Sequence, residues 1–173
     1  MHNTDVALAM KQGMRRLASG VSVLSTRIDN DQRFAMTVSS VTSVSDEPPS
    51  LLVCINKQIS LQGHLENLGC HFAVNVLAHH QERVSNVCAG FEPVQDRFSV
   101  GSWLEGPDSV PYLTDSEAVF FCQTDKVVSY GTHHIVIARI EDVLVSEHES
   151  DPLLYHSGGY QRLNGMLAHA DKG

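Results

Sequence analysis

Two long stretches, Ala118–Tyr130 and His133–Ser146, are joined only by Gly131-Thr132, and they constrain this chain more than any other feature. IVIARI and the later Val143 and Val145 repeat with period two, so one face is apolar and the other is not. A connection this short joins antiparallel strands, because a parallel return needs a crossover of roughly a dozen residues or more. Other strand signals surround the hairpin. They are SVLST after Gly20, a return through Phe34 and Met36 after the turn Asp29-Asn30-Asp31, Leu51–Ile55 after Pro48-Pro49, and HFAVNVL over His71–Leu77. Leu153–His156 and Gly159–Leu163 read as a last pair of short strands around Ser157-Gly158.

Helical spacing occurs three times. Val6, Met10, Met14 and Leu17 predict an amphipathic helix over Asp5–Leu17, with Asp5 able to cap its start and Gly20 able to end it. Ile59, Leu61, Leu65 and Leu68 predict a second over Gln58–Leu68, ended by Gly69. Val84, Val87 and Cys88 predict a third over Ala78–Ala89. Helices do not alternate with strands, and there is no GxGxxG, so a doubly wound parallel sheet is excluded. The expected fold is mainly β: an antiparallel barrel with helices flanking its ends. One domain over residues 1–173 is expected, with a frayed tail from Asn164.

Formal net charge is −8, and such a chain lacks the basic face that phosphate backbones demand, so no nucleic-acid partner is expected. No apolar run approaches the roughly 20 residues of a membrane span, and MHNTDVALAMKQGM lacks the long apolar core of a secretory signal, so a soluble, cytoplasmic protein is expected. The four cysteines form no CxxC pair and sit among apolar neighbours, as free thiols do in a reducing cytoplasm. No closely spaced Cys or His pairs predict a metal site.

Four clusters carry possible chemistry. The first is Thr37-Val38-Ser39-Ser40-Val41-Thr42, with more hydroxyls than a strand carries unless something polar lies against it. An isoalloxazine ring needs such donors at its pyrimidine end and apolar walls elsewhere, although a surface strand with outward polar residues reads the same way. Asn56-Lys57-Gln58-Ile59-Ser60 sits where a strand ends and a helix begins. Free backbone N–H groups, the Lys57 charge and the Ser60 hydroxyl would suit an anion there. An ordinary capped helix with a surface lysine has the same local pattern. Gly131-Thr132-His133-His134 places a histidine in a hairpin turn, for a nicotinamide or simply for solvent. Gly158-Gly159-Tyr160 allows close backbone approach and ring stacking, or a tight hairpin with a core tyrosine.

In chain order these pieces resemble the short-chain flavin reductase family, the small NAD(P)H:flavin oxidoreductases built on an FMN-binding split barrel. The resemblance runs from MRRLASGVSVLST (Met14 to Thr26) to PLLYHSGGYQRL (Pro152 to Leu163). Between them lie MTVSSVTSVSDEPPSLLVCIN, FAVNVL with the following Gln81, DRF (Asp96 to Phe98), GTHHIVIARI and LLYHSGGY. It is especially similar to reductase components of two-component, flavin-dependent monooxygenases.

The resemblance implies that Thr37, Ser39, Ser40, Val41 and Thr42 wrap the isoalloxazine. It implies that Asn56, Lys57 and Ser60 meet ribityl and phosphate, and that Leu77, Ala78 and Gln81 lie near the flavin, with Phe98 and Tyr160 completing the set. His133 takes the place of the histidine in the family's G-D-H motif, implicated in nicotinamide binding. Thr132 stands here for the Asp, and Ala138 for a later Gly. The implied activity is reduction of FMN or FAD by NADH or NADPH, through hydride transfer to flavin N5, for a separate oxygenase. A homodimer with the flavin near its interface is also implied. Two other readings fit a similar barrel: an FMN-holding oxidoreductase with its own substrate, and a non-catalytic flavin- or haem-binding protein.

Overall fold

A computed structural model describes residues 3–29, 32–59 and 64–163. Helix α1 (Asn3–Met14) is followed by strands β1 (Ser19–Gly20), β2 (Ser22–Asp29), β3 (Gln32–Val38), β4 (Thr42–Asp46), β5 (Pro49–Asn56) and β6 (His71–Val76). Helix α2 (Glu82–Ala89) comes next, then β7 (Trp103–Glu105), β8 (Pro111–Leu113), β9 (Ala118–Tyr130), β10 (His133–Val145), β11 (Leu154–His156) and β12 (Gly159–Gln161). Seven strands form one antiparallel sheet in the order β3-β2-β6-β9-β10-β5-β4. The expected long hairpin is its spine, β9 against β10. The turn between them needs Gly131, whose φ is +52°.

The sheet curls. Met36 and Val38 on β3 share one core with Leu51, Val53 and Ile55 on β5, although four strands separate β3 from β5 in the ladder. Phe72, Val74, Val136 and Ala138 fill the space between them, each fully buried. Burying a side chain such as Phe72 contributes roughly 1.5–3 kcal/mol, so this shared core holds the curl. The two edges do not join through a backbone ladder, and the barrel is left split. What spans the gap is Ser40, whose Oγ donates to the Cys54 carbonyl at 3.1 Å and accepts from the Cys54 N–H at 3.0 Å. On the outer face, α2 packs Val84 and Cys88 against Val21, Val23, Ala35, Leu77 and Leu153 in a second core.

Asn75 sits at the middle of β6 with no exposure. Its Nδ2 donates to the Val23 carbonyl at 2.8 Å and to Ser25 Oγ at 2.9 Å, and its Oδ1 accepts from the Leu113 N–H at 2.8 Å. One amide thus ties β2, β6 and β8 together inside the protein.

Several expectations change. The hydroxyl-rich run is not one strand, since residues 39–41 lie between β3 and β4. The helix predicted over Gln58–Leu68 is instead a turn at 57–59 and a 3-10 turn, His64–Glu66, with residues 60–63 outside the described set. Only Leu65 of its described apolar stripe is buried, while Leu68 is 71% exposed. The helix over Ala78–Ala89 begins as a 3-10 turn, His79–Gln81, because Gln81 Oε1 accepts the Ala78 N–H at 2.9 Å. It ends at Gly90, whose φ of 80° is the left-handed cap that glycine allows. Gly106-Pro107 and Val110 lie in the connection of a small hairpin, β7–β8, whose pairing spacing alone did not show. Helix α1 forms as expected and stops at Met14, but Val6, Met10 and Met14 on it are each more than half exposed. The tail from Asn164 lies outside the described residues. No described helix is long and apolar enough to cross a membrane.

Candidate functional site

The site follows from where β5 ends. Its last residue, Asn56, lies directly opposite His133, the first residue of β10. The anion cluster and the hairpin histidine, far apart in sequence, are therefore cross-strand neighbours. Two residues earlier on β5, Cys54 holds Ser40. The loop 39–41, the Asn56-Lys57 corner and the Gly131-Thr132 turn thus line one end of one strand.

The hydroxyl run divides by what each group already bonds. Thr37 Oγ1 donates to the Ser85 carbonyl on α2 at 2.7 Å, and Ser40 bridges to Cys54. Both hydroxyls are committed to the fold. Ser39 and Thr42 are exposed, and their hydroxyls have no hydrogen-bond partner among the described residues. Val41 is half-buried against the first core and offers an apolar wall.

At the Asn56 corner the backbone donors of the described residues after Asn56 are already bonded. The Lys57 N–H bonds the Thr132 carbonyl at 3.0 Å, the Gln58 N–H bonds Asn56 Oδ1 at 2.9 Å, and the Ile59 N–H bonds the Asn56 carbonyl at 3.0 Å. Asn56 Oδ1 closes an Asx turn, so among the described residues of this corner an anion relies on side chains. The Lys57 ammonium donates to the Gly131 carbonyl at 2.9 Å and keeps two further N–H donors. Ser60 lies outside the described residues. His133 is exposed, and its Nδ1 meets Thr132 Oγ1 at 2.9 Å, which leaves Nε2 for a ligand.

The remaining expected residues gather around α2. Leu77 and Ala78 are buried, and Gln81 caps the first turn. Tyr160 brings its hydroxyl to Ser85 Oγ at 2.8 Å and donates to Asn86 Oδ1 at 3.2 Å, with its ring edge-on to Tyr155. Phe98 stacks edge-on with Trp103 at 4.7 Å and lies under the Arg33 guanidinium at 4.4 Å. Thr37 and Tyr160 thus converge on Ser85 and anchor α2 beside the 39–41 loop.

Burial pushes the Cys70 and Cys88 thiols up to about 11 and the Cys122 thiol to about 12. All three are protonated at neutral pH and unsuited to nucleophilic work. A cluster that sequence spacing did not reveal lies elsewhere. His71 on β6 faces Asp108 at 3.6 Å and Glu141 of β10 at 3.4 Å, with the Gln123 amide on Nε2 at 3.0 Å. One ligand-type atom from each of His71, Asp108 and Glu141 falls within 4.8 Å of the others.

An antiparallel sheet curled around one core, open between its edges and presenting a polar loop, a lysine and a histidine at one strand end, defines the split-barrel class. Residues 14–164 match the flavin reductase like domain, and the chain belongs to that family. It is 37% identical over 157 residues to an FMN reductase (NADH), RutF, of Methylorubrum extorquens strain DM4, covering 91% of this chain and 75% of that protein. It is 39% identical over 150 residues to the reductase component of an FADH2-dependent resorcinol hydroxylase of Rhizobium sp. MTP-10005, covering 85% and 82%. Among solved structures, BorF, the flavin reductase component of a bacterial two-component tryptophan halogenase, superposes with a TM-score of 0.80 at 29% identity, over 92% of this chain and 99% of that one.

Proposed function

We propose that the protein is an NAD(P)H-dependent flavin reductase whose product, reduced FMN or FAD, goes to a separate oxygenase. The observation that carries this reading is the pairing of Asn56 with His133, which sets the flavin-phosphate and nicotinamide clusters side by side. The groups present fit a flavin. Ser39 and Thr42 have uncommitted hydroxyls, Val41 supplies an apolar wall, and Lys57 has two N–H donors for a phosphate. Flavin is here a substrate, taken up oxidised and released reduced.

Hydride leaves the nicotinamide C4 with its electron pair and adds to flavin N5, and a solvent proton completes the reduced ring. No protein acid or base is required. The chain positions the two rings at contact distance, with the 39–42 loop on one side and His133 on the nicotinamide side. An exposed site bounded by short polar contacts suits a product that must leave.

Catalytic amounts of enzyme are expected to bleach many equivalents of added FMN with NADH or NADPH. Crossing both nucleotides with FMN, FAD and riboflavin in a steady-state assay sets the preferences. Reduction that halts after one equivalent of bound flavin would favour an enzyme holding FMN for its own substrate. No bleaching with either nucleotide would leave a binding protein.

The same reading makes the protein a cytoplasmic homodimer. Free cysteines suit a reducing compartment. Val6, Met10, Met14 and Leu17 form an apolar stripe that is 55–57% exposed, and covering it with a second copy removes that surface from water. Light scattering should give twice the 19.0 kDa chain mass, and Met10→Glu should lower it toward one. A wild-type monomer overturns the dimer.

A further inference from the structure

We infer that Lys57 is a positioning residue for the nicotinamide side of the site, and not a phosphate ligand alone. The inference rests on the flavin reductase reading and deepens it. Both carbonyls of the hairpin turn face this one residue. The Lys57 N–H bonds the Thr132 carbonyl at 3.0 Å, and the Lys57 ammonium bonds the Gly131 carbonyl at 2.9 Å.

The turn is short and carries Gly131 at φ +52°, and His133 follows it immediately. Thr132 in turn touches His133 Nδ1 at 2.9 Å. The backbone bond survives Lys57→Met. The ammonium bond does not, and it is what pins the outer end of the turn. An ammonium has three donors in rotatable array, so Lys57 can hold Gly131 with one and meet an anion with the others. One cation thereby serves both substrates. Because Lys57 is exposed, losing its side chain removes little buried surface and the protein folds without it.

Riboflavin separates the two roles, since it has no phosphate for Lys57 to meet. With riboflavin as acceptor, Lys57→Met is expected to raise the NAD(P)H KM about fivefold, the effect of losing one exposed charge-assisted hydrogen bond. The KM for riboflavin and kcat should move less than about twofold on the same argument. His133→Ala should raise the NAD(P)H KM by itself, and adding Lys57→Met to it should raise the KM no further, because the lysine acts through the histidine. An unchanged NAD(P)H KM in Lys57→Met, or multiplicative effects in the double variant, overturns the proposal.

A second measurement needs no turnover. The His133 imidazole proton resonances of the ligand-free protein should shift in Lys57→Met, and unaltered resonances overturn the proposal equally. A wild-type protein that reduces no flavin with either nucleotide overturns the reductase reading itself, which the resonance measurement leaves untouched.

Discussion

Asn75→Leu is expected to destabilise the protein by roughly 3–5 kcal/mol, because a buried polar group left unpaired costs about 1–3 kcal/mol and several bonds are lost together. The substitution puts an apolar side chain where the amide was, removing the acceptor of the Leu113 N–H and the donor to Val23 and Ser25. Leu113 has no exposure, so water cannot replace the lost acceptor without opening the β7–β8 hairpin. For a domain of this size each kcal/mol corresponds to about 2–4 °C, so the melting temperature should fall by roughly 6–20 °C. Urea unfolding of the purified variant measures this directly. A loss under about 1 kcal/mol would mean that the three bonds are not made together.

His133→Ala is expected to raise the apparent KM for NADH or NADPH about tenfold, equivalent to 1.4 kcal/mol of binding, with a smaller change in the flavin KM. The side chain is exposed and its Nδ1 is held by Thr132, so Nε2 presents to whatever docks on this end of β10. Truncation leaves the Asn56–His133 backbone pairing in place, and the fold should not suffer. Steady-state kinetics at saturating flavin gives the first number, and kinetics at saturating nucleotide gives the second. A larger effect on flavin than on the nucleotide would move His133 out of the nicotinamide role.

Much of the fold was legible because its signals are local. The β9–β10 hairpin shows in period-two alternation on both sides of one glycine, and neither needs a distant partner. The Val84, Val87 and Cys88 spacing found α2, since those side chains must share a face whatever they pack on. The same logic misled at Gln58–Leu68. Apolar spacing there satisfied the helical template, yet Asn56 closes an Asx turn that occupies the backbone donors a helix start would have offered.

Asn75 was visible as a polar residue inside an apolar strand, but its partners come from β2 and β8, so its role could not be read from neighbours. The hydroxyl run is a similar case. The four hydroxyls of Thr37, Ser39, Ser40 and Thr42 look interchangeable in sequence, and only their tertiary partners divide them. Thr37 goes to Ser85 and Ser40 to Cys54, while the Ser39 and Thr42 hydroxyls have no partner among the described residues.

The amino-acid order alone determined the antiparallel class, the long hairpin and its glycine turn, the amphipathic α1, and the residue types needed for flavin and nucleotide. Those depend on side-chain period and on backbone limits within a few residues. Tertiary structure alone decided that the sheet curls, with Ser40 bonding the loop after β3 to β5, and that α1 presents its stripe outward. It also decided that Lys57 and Gly131, 74 positions apart, make one hydrogen bond. Those depend on which strand lies beside which, and that follows from the shared burial of β3 and β5 in one core.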